Sequence, residues 1–403
     1  MPNPMKSIVL ILPRIVFCCS LFAQSPVLDM PELSSRAASL MDAATGTFLY
    51  IKNGDDVIPP ASLAKLMTIH IALAEVAQGN ASLDEVVNLP RESWAVNQPP
   101  RSSLMFLGPG QTVTLRDLLL GLAIPSGNDA AVAVALRFAP TVADFVQRMN
   151  QEAQRWGLSQ THFVEPSGIS EDNFTTAVEF ALFCREYLHL HPETLGDYHS
   201  VKEFAYPRRE NVAERYQSKP GTIVQYNHNS FLTTFPGADG LKTGYIDEAG
   251  YNIALTAERE GTRFIAVILG APAVYRGARI RDEDGIKLLT WAFEHYKTLR
   301  PTLDPLPPIR VWKGKEDFVE ITPAEALEFT TLRTRGEALH WEIALTPTIL
   351  APLPQGVFVG SLVLSDAQGE LRRIPLLSAH EVARGSFFKR FWDSIRLFFR
   401  SLF

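Results

Sequence analysis

Cysteine is almost missing: three occur in 403 residues, and Cys18 and Cys19 both lie in the first 23. Only Cys184 remains beyond that segment, so an internal disulfide is excluded there and the fold must rest on its core. Cys184 itself sits in an apolar helical stretch, EFALFCREYL, and reads as inert core. Basic charge is not in excess either. The net charge is −6 and the pI about 5.9, which gives no support for nucleic-acid binding. No apolar run reaches the roughly 18–20 residues that span a bilayer. There is no H-E-x-x-H, the nine histidines show no ligand spacing, and no glycine-rich phosphate loop occurs, so neither a metal nor a cofactor is expected. Internal repeats and low-complexity segments are absent as well.

What is present is the composition of a folded globular chain, 20% charged and 46% hydrophobic. The N-terminus reads as a targeting segment, residues 1–23. Lys6 and Arg14 supply positive charge, Ile15 to Phe22 a short apolar core, and Ala23 a small residue suited to cleavage. A lipoprotein signal at Cys18 or Cys19 ranks lower, because Phe17 is bulkier than that processing favours.

Two short strands are expected within 37–57 around Ala44-Thr45-Gly46, and helices over 62–78, 115–136, 141–156 and 176–189. The second of these helices breaks at Ile124-Pro125-Ser126-Gly127, since proline disfavours helix before it. A strand pair, Tyr251–Glu258 and Arg263–Leu269, turns at Glu260-Gly261, and a helix follows over 282–298. This pattern indicates an α+β domain over 24–300. Residues 301–308 (PTLDPLPP) read as a linker, and 309–378 as a small all-β domain of five strands, one of them Phe318–Ile321.

Three short motifs carry chemistry. In Ser62-Leu63-Ala64-Lys65, residues three apart on a helix share a face, so the lysine amine can meet the serine hydroxyl. Serine needs a base to become a nucleophile, and lysine is one only when its pKa is lowered. The match alone is weak, and a second one, Ser386 to Lys389, reads as chance. Ser126-Gly127-Asn128 places a hydroxyl and an amide in a loop between helices. Lys242-Thr243-Gly244, just before the strand pair, offers a cation and a hydroxyl to a carboxylate, and Gly244 permits close backbone approach. Taken singly, these are a helix start, an N-cap and a turn. Together and in this order they are the motif set of penicillin-binding proteins and class A β-lactamases.

With these residues the chain resembles the low-molecular-mass penicillin-binding proteins with D-alanyl-D-alanine carboxypeptidase activity. Pro59-Pro60-Ala61 before Ser62, Leu66-Met67-Thr68 after Lys65, Ser102-Ser103-Leu104-Met105, Asp239-Gly240-Leu241, Ala249-Gly250-Tyr251-Asn252 and Leu288-Leu289-Thr290-Trp291 extend the likeness over the mature chain. The resemblance implies a serine β-lactamase/transpeptidase-like catalytic domain, and penicillin and the peptidoglycan stem peptide as partners. It also implies roles: Ser62 as nucleophile, Lys65 as base, Ser126 with Asn128 passing a proton to the leaving D-alanine. Lys242 and Thr243 would bind the terminal carboxylate beside Gly244, with Ser103 in the substrate site. The backbone N–H groups of Ser62 and Tyr245 would form the oxyanion hole. Arg281 corresponds to a family arginine that assists the carboxylate, with Arg276 and Arg279 as competitors. Tyr245 departs from the histidine or phenylalanine familiar there, but only its backbone is needed. His228 and His70 read as structural, and the role of Glu179 stays open.

The tail, residues 384–403, sets Phe387, Phe388, Phe391, Trp392, Ile395, Phe398, Phe399, Leu402 and Phe403 over about 160° of one helix face. Lys389, Arg390, Arg396 and Arg400 lie opposite, as in a helix resting on an anionic membrane. The expected enzyme is thus exported and peripheral on the periplasmic side of the cytoplasmic membrane. A DD-endopeptidase shares every motif. A β-lactamase is less favoured, because no glutamate in 152–180 has an E-x-x-L-N context.

Overall fold

The computed structural model describes residues 29–214, 222–300, 306–335, 339–367 and 369–401; the expected targeting segment lies outside the described residues. Strand β1 (Ala37–Asp42) is buried at every position, the mark of a strand covered on both faces. It pairs with β2 (Phe48–Lys52) across the Ala44-Thr45-Gly46 turn. Its other edge pairs with a hairpin strand from the far end of the domain, β5 (Thr262–Ala271), Ala38 opposite Ile268 and Leu40 opposite Ala266. With β3 (Ala238–Ile246) and β4 (Gly250–Arg259) the result is a five-stranded antiparallel sheet, ordered β2-β1-β5-β4-β3.

Side chains alternate along these strands and feed two cores. Ala38, Leu40, Phe264, Ala266 and Ile268 meet Leu288, Leu289, Ala292 and Phe293 of α6 (Gly277–His295). Ala37, Met41, Ile265, Val267 and Leu269 face the helical layer. That layer comprises α1 (Lys65–Ala77), α2 (Leu115–Ala123), α3 (Asn128–Phe138), α4 (Val142–Arg155) and α5 (Ala177–Leu190). The break before Pro125 falls where it was expected, α2 ending at Ala123 and α3 starting at Asn128.

Two details go beyond the sequence reading. Lys242-Thr243-Gly244, just before the β4–β5 pair as expected, is itself part of the sheet, inside β3. Asp, Lys and two Gly make this segment a poor strand former; it is held extended by pairing with β4, Lys242 opposite Ala254, and by burial of Gly240 through Gly244. The helix expected over 282–298 begins earlier, at Gly277, and stops at His295, because Tyr296–Leu299 is a strand paired with Phe329–Leu332.

That pairing joins the catalytic layers to a smaller set of strands. Its four-stranded sheet runs Ile321–Pro323, Gly369–Ser378, Phe358–Asp366, His340–Leu345, around a core of Val311, Leu362, Ile374 and Leu376. The expected strand Phe318–Ile321 is split at Glu320, with Phe318–Val319 pairing instead with Ile309–Trp312. At the junction the buried Asp42 carboxylate accepts from Thr298 Oγ1 at 2.6 Å and Thr330 Oγ1 at 2.9 Å, and from the backbone of Ala44 and Thr45. The last helix, α7 (Phe387–Arg400), docks by its polar side: buried Asp393 accepts from the Lys313 backbone at 2.7 Å, and Lys389 pairs with Asp317 at 2.6 Å. Among the described residues no helix is long and apolar enough to cross a membrane.

Behind α1 lies a polar cluster. His70 is buried, as a core residue, with Nδ1 2.9 Å from His191 Nε2 and Nε2 3.4 Å from Glu152. His199 Nε2 lies 2.7 Å from the Tyr187 hydroxyl. Burial, helped by His70, lowers the His191 pKa to about 4, and burial, helped by Lys242, lowers that of His199 to about 3. An unfolded chain protonates both near 6.5, so the fold binds fewer protons between these limits. Stability is therefore full above about pH 6.5 and falls as pH drops toward 4. Urea unfolding at about pH 7.5 and about pH 5 should differ by up to about 2 kcal/mol for each histidine. A stability that stays flat over that range would contradict the neutral, buried imidazoles.

Candidate active site

Ser62 sits in a 3-10 turn, Ala61–Ala64, that runs straight into α1, whose first residue is Lys65. Residues i and i+3 eclipse in such a turn, and Lys65 Nζ lies 2.9 Å from Ser62 Oγ. The amine also donates to Asn128 Oδ1 at 2.8 Å and to the Ser167 carbonyl at 2.5 Å. It is fully buried, and burial lowers its pKa to about 7 against the opposing pull of Glu165 and Asp129. Three donors face three acceptors while the amine is charged. After one proton leaves, two donors still serve Asn128 and Ser167, and the lone pair is available to the serine O–H.

The turn is held by close backbone contacts. Ala61, just before the nucleophile, has φ +51°. Gly168 packs so tightly there that an added Cβ would fall 1.8 Å from the Ala61 carbonyl oxygen. Asn252 ties the same turn to the sheet, donating to the Pro59 carbonyl and accepting from the Gly270 N–H, both at 2.8 Å. Ser126 is a second left-handed residue, φ +63°, and its buried hydroxyl has no partner. The N-cap of α3, which the motif taken singly would give to this serine, is Gly127. Strain and an unpaired buried hydroxyl persist where the surroundings over-determine them, typically at functional sites.

Strand β3 forms the facing wall. A Cβ at Gly244 would sit 3.1 Å from the Ser62 N atom, so the strand approaches the nucleophile's amide directly. Lys242 is buried, and its pKa is driven well down by burial and by the charges of Lys65 and Arg281. Arg281 is buried on α6 and pairs with Asp282 at 2.6 Å. Of its competitors, Arg279 is exposed and pairs with Glu283, and Arg276 lies over the Tyr275 ring. The pKa of His228, read as structural, is lowered to about 4 by partial burial and by the charges of Lys242, Lys65 and Arg281. Basic groups thus converge around the middle of β3, an arrangement that suits an anionic ligand.

Ser62 opens into a cleft of about 520 Å³ whose lining includes Ser102, Ser103, Asn128, Gly168, Tyr245 and Asp247. Ser103 also accepts the Asn128 N–H through its carbonyl. Tyr245 stacks on Tyr251, ring centres 4.3 Å apart, leaving its backbone beside Gly244. Thr243 is buried in the same wall. The sequence reading missed Ser167 and Gly168, which act through a backbone carbonyl and tight packing and carry no motif, and it quoted Asn252 only within a matching run, without the side-chain bonds that tie Pro59 to Gly270. It left the role of Glu179 open. The Glu165 carboxylate orders the loop that presents Ser167, accepting from its N–H and hydroxyl at 2.7 and 2.6 Å. That of Glu179 accepts from Thr161 Oγ1 at 2.6 Å. Among the described residues no group of His, Cys, Asp and Glu is placed to hold a metal.

Residues 23–273 match the family model of D-alanyl-D-alanine carboxypeptidases, and residues 301–384 that of the penicillin-binding protein 5 C-terminal domain. The chain is 33% identical over 395 residues to the D-alanyl-D-alanine carboxypeptidase DacC of Escherichia coli, covering 96% of this chain and 94% of that protein. It is 30% identical to DacF of Bacillus subtilis, with 93% and 92% covered. Penicillin-binding protein 5 from Haemophilus influenzae superposes with a TM-score of 0.78 at 28% identity, over 89% of this chain and all of that one. Penicillin-binding protein D2 from Listeria monocytogenes, solved in an ampicillin-bound form, gives 0.55 at 33% identity over 65% of this chain and all of its own.

Gly168→Ala should be severe, since φ is +81° and the Ala61 backbone cannot yield. A loss of at least about 2–3 kcal/mol is expected in thermal unfolding. In whatever fraction folds, Ser62 reactivity should be lost. A variant as stable and reactive as the parent would show that this contact does not hold the turn.

Proposed function

The chain belongs to the D-alanyl-D-alanine carboxypeptidase family of serine-type hydrolases, and we propose that it removes the terminal D-alanine of peptidoglycan pentapeptide stems through an acyl-enzyme on Ser62. The observation that carries this reading is Lys65 Nζ, buried, 2.9 Å from Ser62 Oγ, with a pKa lowered to about 7. Neutral Lys65 takes the hydroxyl proton as Ser62 Oγ attacks the carbonyl between the two D-alanines. The backbone N–H groups of Ser62 and Tyr245 stabilise the oxyanion. Ser126, with Asn128, delivers a proton to the departing D-alanine nitrogen. The stem stays esterified to Ser62 until water attacks the ester and returns the proton. Lys242 and Thr243 hold the substrate's terminal carboxylate, Arg281 adds charge behind them, and Gly244 and Ser103 leave room for the peptide.

A β-lactam offers the same two handles, a strained amide and a nearby carboxylate, and acylates Ser62 in the same way. The ampicillin-bound relative supports that partner. Export and attachment to the periplasmic side of the cytoplasmic membrane complete the reading. They are supported by α7, which turns Phe387, Phe388, Phe391, Trp392, Phe398 and Phe399 outward, each more than half exposed, while its polar side holds the protein. A helix docked in that sense presents an aromatic face to a lipid surface.

Mass spectrometry after incubation with penicillin and with a pentapeptide tests the chemistry. One penicilloyl adduct on Ser62 and release of one D-alanine are expected, and both should vanish in Ser62→Ala; labelling that persists in this variant would end the proposal. Acylation of the free enzyme should rise with pH through about 7 and fall about tenfold per unit below it, as Lys65 becomes charged. Products from crosslinked and uncrosslinked muropeptides separate this activity from endopeptidase action.

Deleting residues 384–403 should release the protein from anionic vesicles while leaving hydrolysis of a small soluble peptide intact, and Phe391→Glu with Phe398→Glu should do the same. Continued sedimentation of the truncated protein with the vesicles would place the anchor elsewhere.

A further inference from the structure

The catalytic cleft continues beyond the reacting groups. Its outer part is bounded by Ile246, Asp247 and Glu248 at the end of β3 and by Pro100 and Arg101 on the opposite wall. The direction of a bound stem follows from the reaction proposed above, on which this inference rests. With the terminal carboxylate at Lys242 and Thr243, and the scissile carbonyl at Ser62 and Gly244, the earlier part of the peptide must run past Tyr245. Extended chains advance about 3.3 Å per residue, so the residue preceding the two D-alanines lies level with Tyr245 and Ile246. A long side chain on that residue ends beside Asp247 and Glu248, facing Arg101.

The charges there form an unusual pair. Arg101, in a left-handed conformation with φ +68°, extends across the cleft mouth to Asp247 Oδ2 at 3.5 Å. Both side chains are largely exposed, so the pair is weak and readily exchanged. Asp247 is nonetheless positioned, because its other oxygen accepts from the Tyr245 hydroxyl at 2.6 Å. The Glu248 carboxylate has no ion-pair partner among the described residues. The basic groups around Lys242, at the middle of β3, belong to the carboxylate anchor.

We infer that Arg101, Asp247 and Glu248 form a specificity subsite for a third stem residue whose side chain ends as an α-amino acid. Such an end carries an ammonium and a carboxylate on one carbon. Laid antiparallel across the Arg101–Asp247 pair, it puts its ammonium against Asp247 and Glu248 and its carboxylate against Arg101, so every charge meets its opposite. A lysine-type end satisfies only the acids and draws Asp247 away from Arg101 with nothing in exchange. An acylated amine satisfies neither wall. The preference is therefore for a diaminodicarboxylic residue with its distal end free.

The test uses the full chain and three synthetic peptides, each an N-acetylated residue followed by D-Ala-D-Ala: meso-diaminopimelate, lysine or Nε-acetyl-lysine. The kcat/KM should fall in that order, by about fivefold per step, the size expected of exposed charge pairs. The fall should lie mainly in KM, because these contacts are equal in ground and transition states. Arg101→Gln should narrow the first step, and Asp247→Asn with Glu248→Gln the second. Equal rates on all three peptides overturn the inference and leave the carboxypeptidase reading standing. A preference that survives both variants overturns the assignment to these residues. Absence of D-alanine release from every peptide overturns the reading itself, and this subsite with it.

Discussion

The buried amine of Lys65 is the constraint around which the catalytic layers are arranged. Its three acceptors come from three separate segments: the turn before α1, the start of α3, and the loop carrying Ser167. A buried cation must find such partners or lose its proton. Here it keeps a full set at a pKa near 7, so it stands at the balance point between the two states. The supporting features serve that point. Glu165 and Asn173 order the Ser167 loop, Asp129 fixes the Met105 and Leu107 backbone next to α3, and Asn252 holds Pro59.

The same low dielectric that lowers Lys65 also burdens Lys242. It is buried with Lys65 and Arg281 nearby, and both charges disfavour its own. His228 and His199 stay neutral beside it, which spares the region further positive charge. An anion arriving here is met by an electric field already paid for by the fold. Just past the end of β3 the situation reverses: Arg101 and Asp247 are exposed and weakly paired, so their pairing contributes little to stability.

The C-terminal portion is governed by a different rule. In an ordinary surface helix the apolar face packs inward and the polar face meets water. In α7 Asp393 and Lys389 face the strands while six aromatic rings face out. The polar contacts that seat it are directional and few, so they orient the helix without covering its apolar face.

Much was legible in the sequence because it is local. The Ser62–Lys65 spacing, the break at Pro125, the β4–β5 hairpin and the one-sided tail are all set by residues within a few positions of one another. Periodicity and turn chemistry report such relations directly. Tertiary structure alone decided the rest. It made Lys242 a strand residue against its propensity, because β4 pairs with it and both faces are covered. It buried Arg281 near Lys242 and left Arg276 and Arg279 exposed, since the pitch of α6 turns only that one inward. It recruited the Ser167 carbonyl and the missing Cβ of Gly168, which no residue pattern announces, because a backbone oxygen and an absent side chain acquire meaning only when packing brings a distant segment within 3 Å of them.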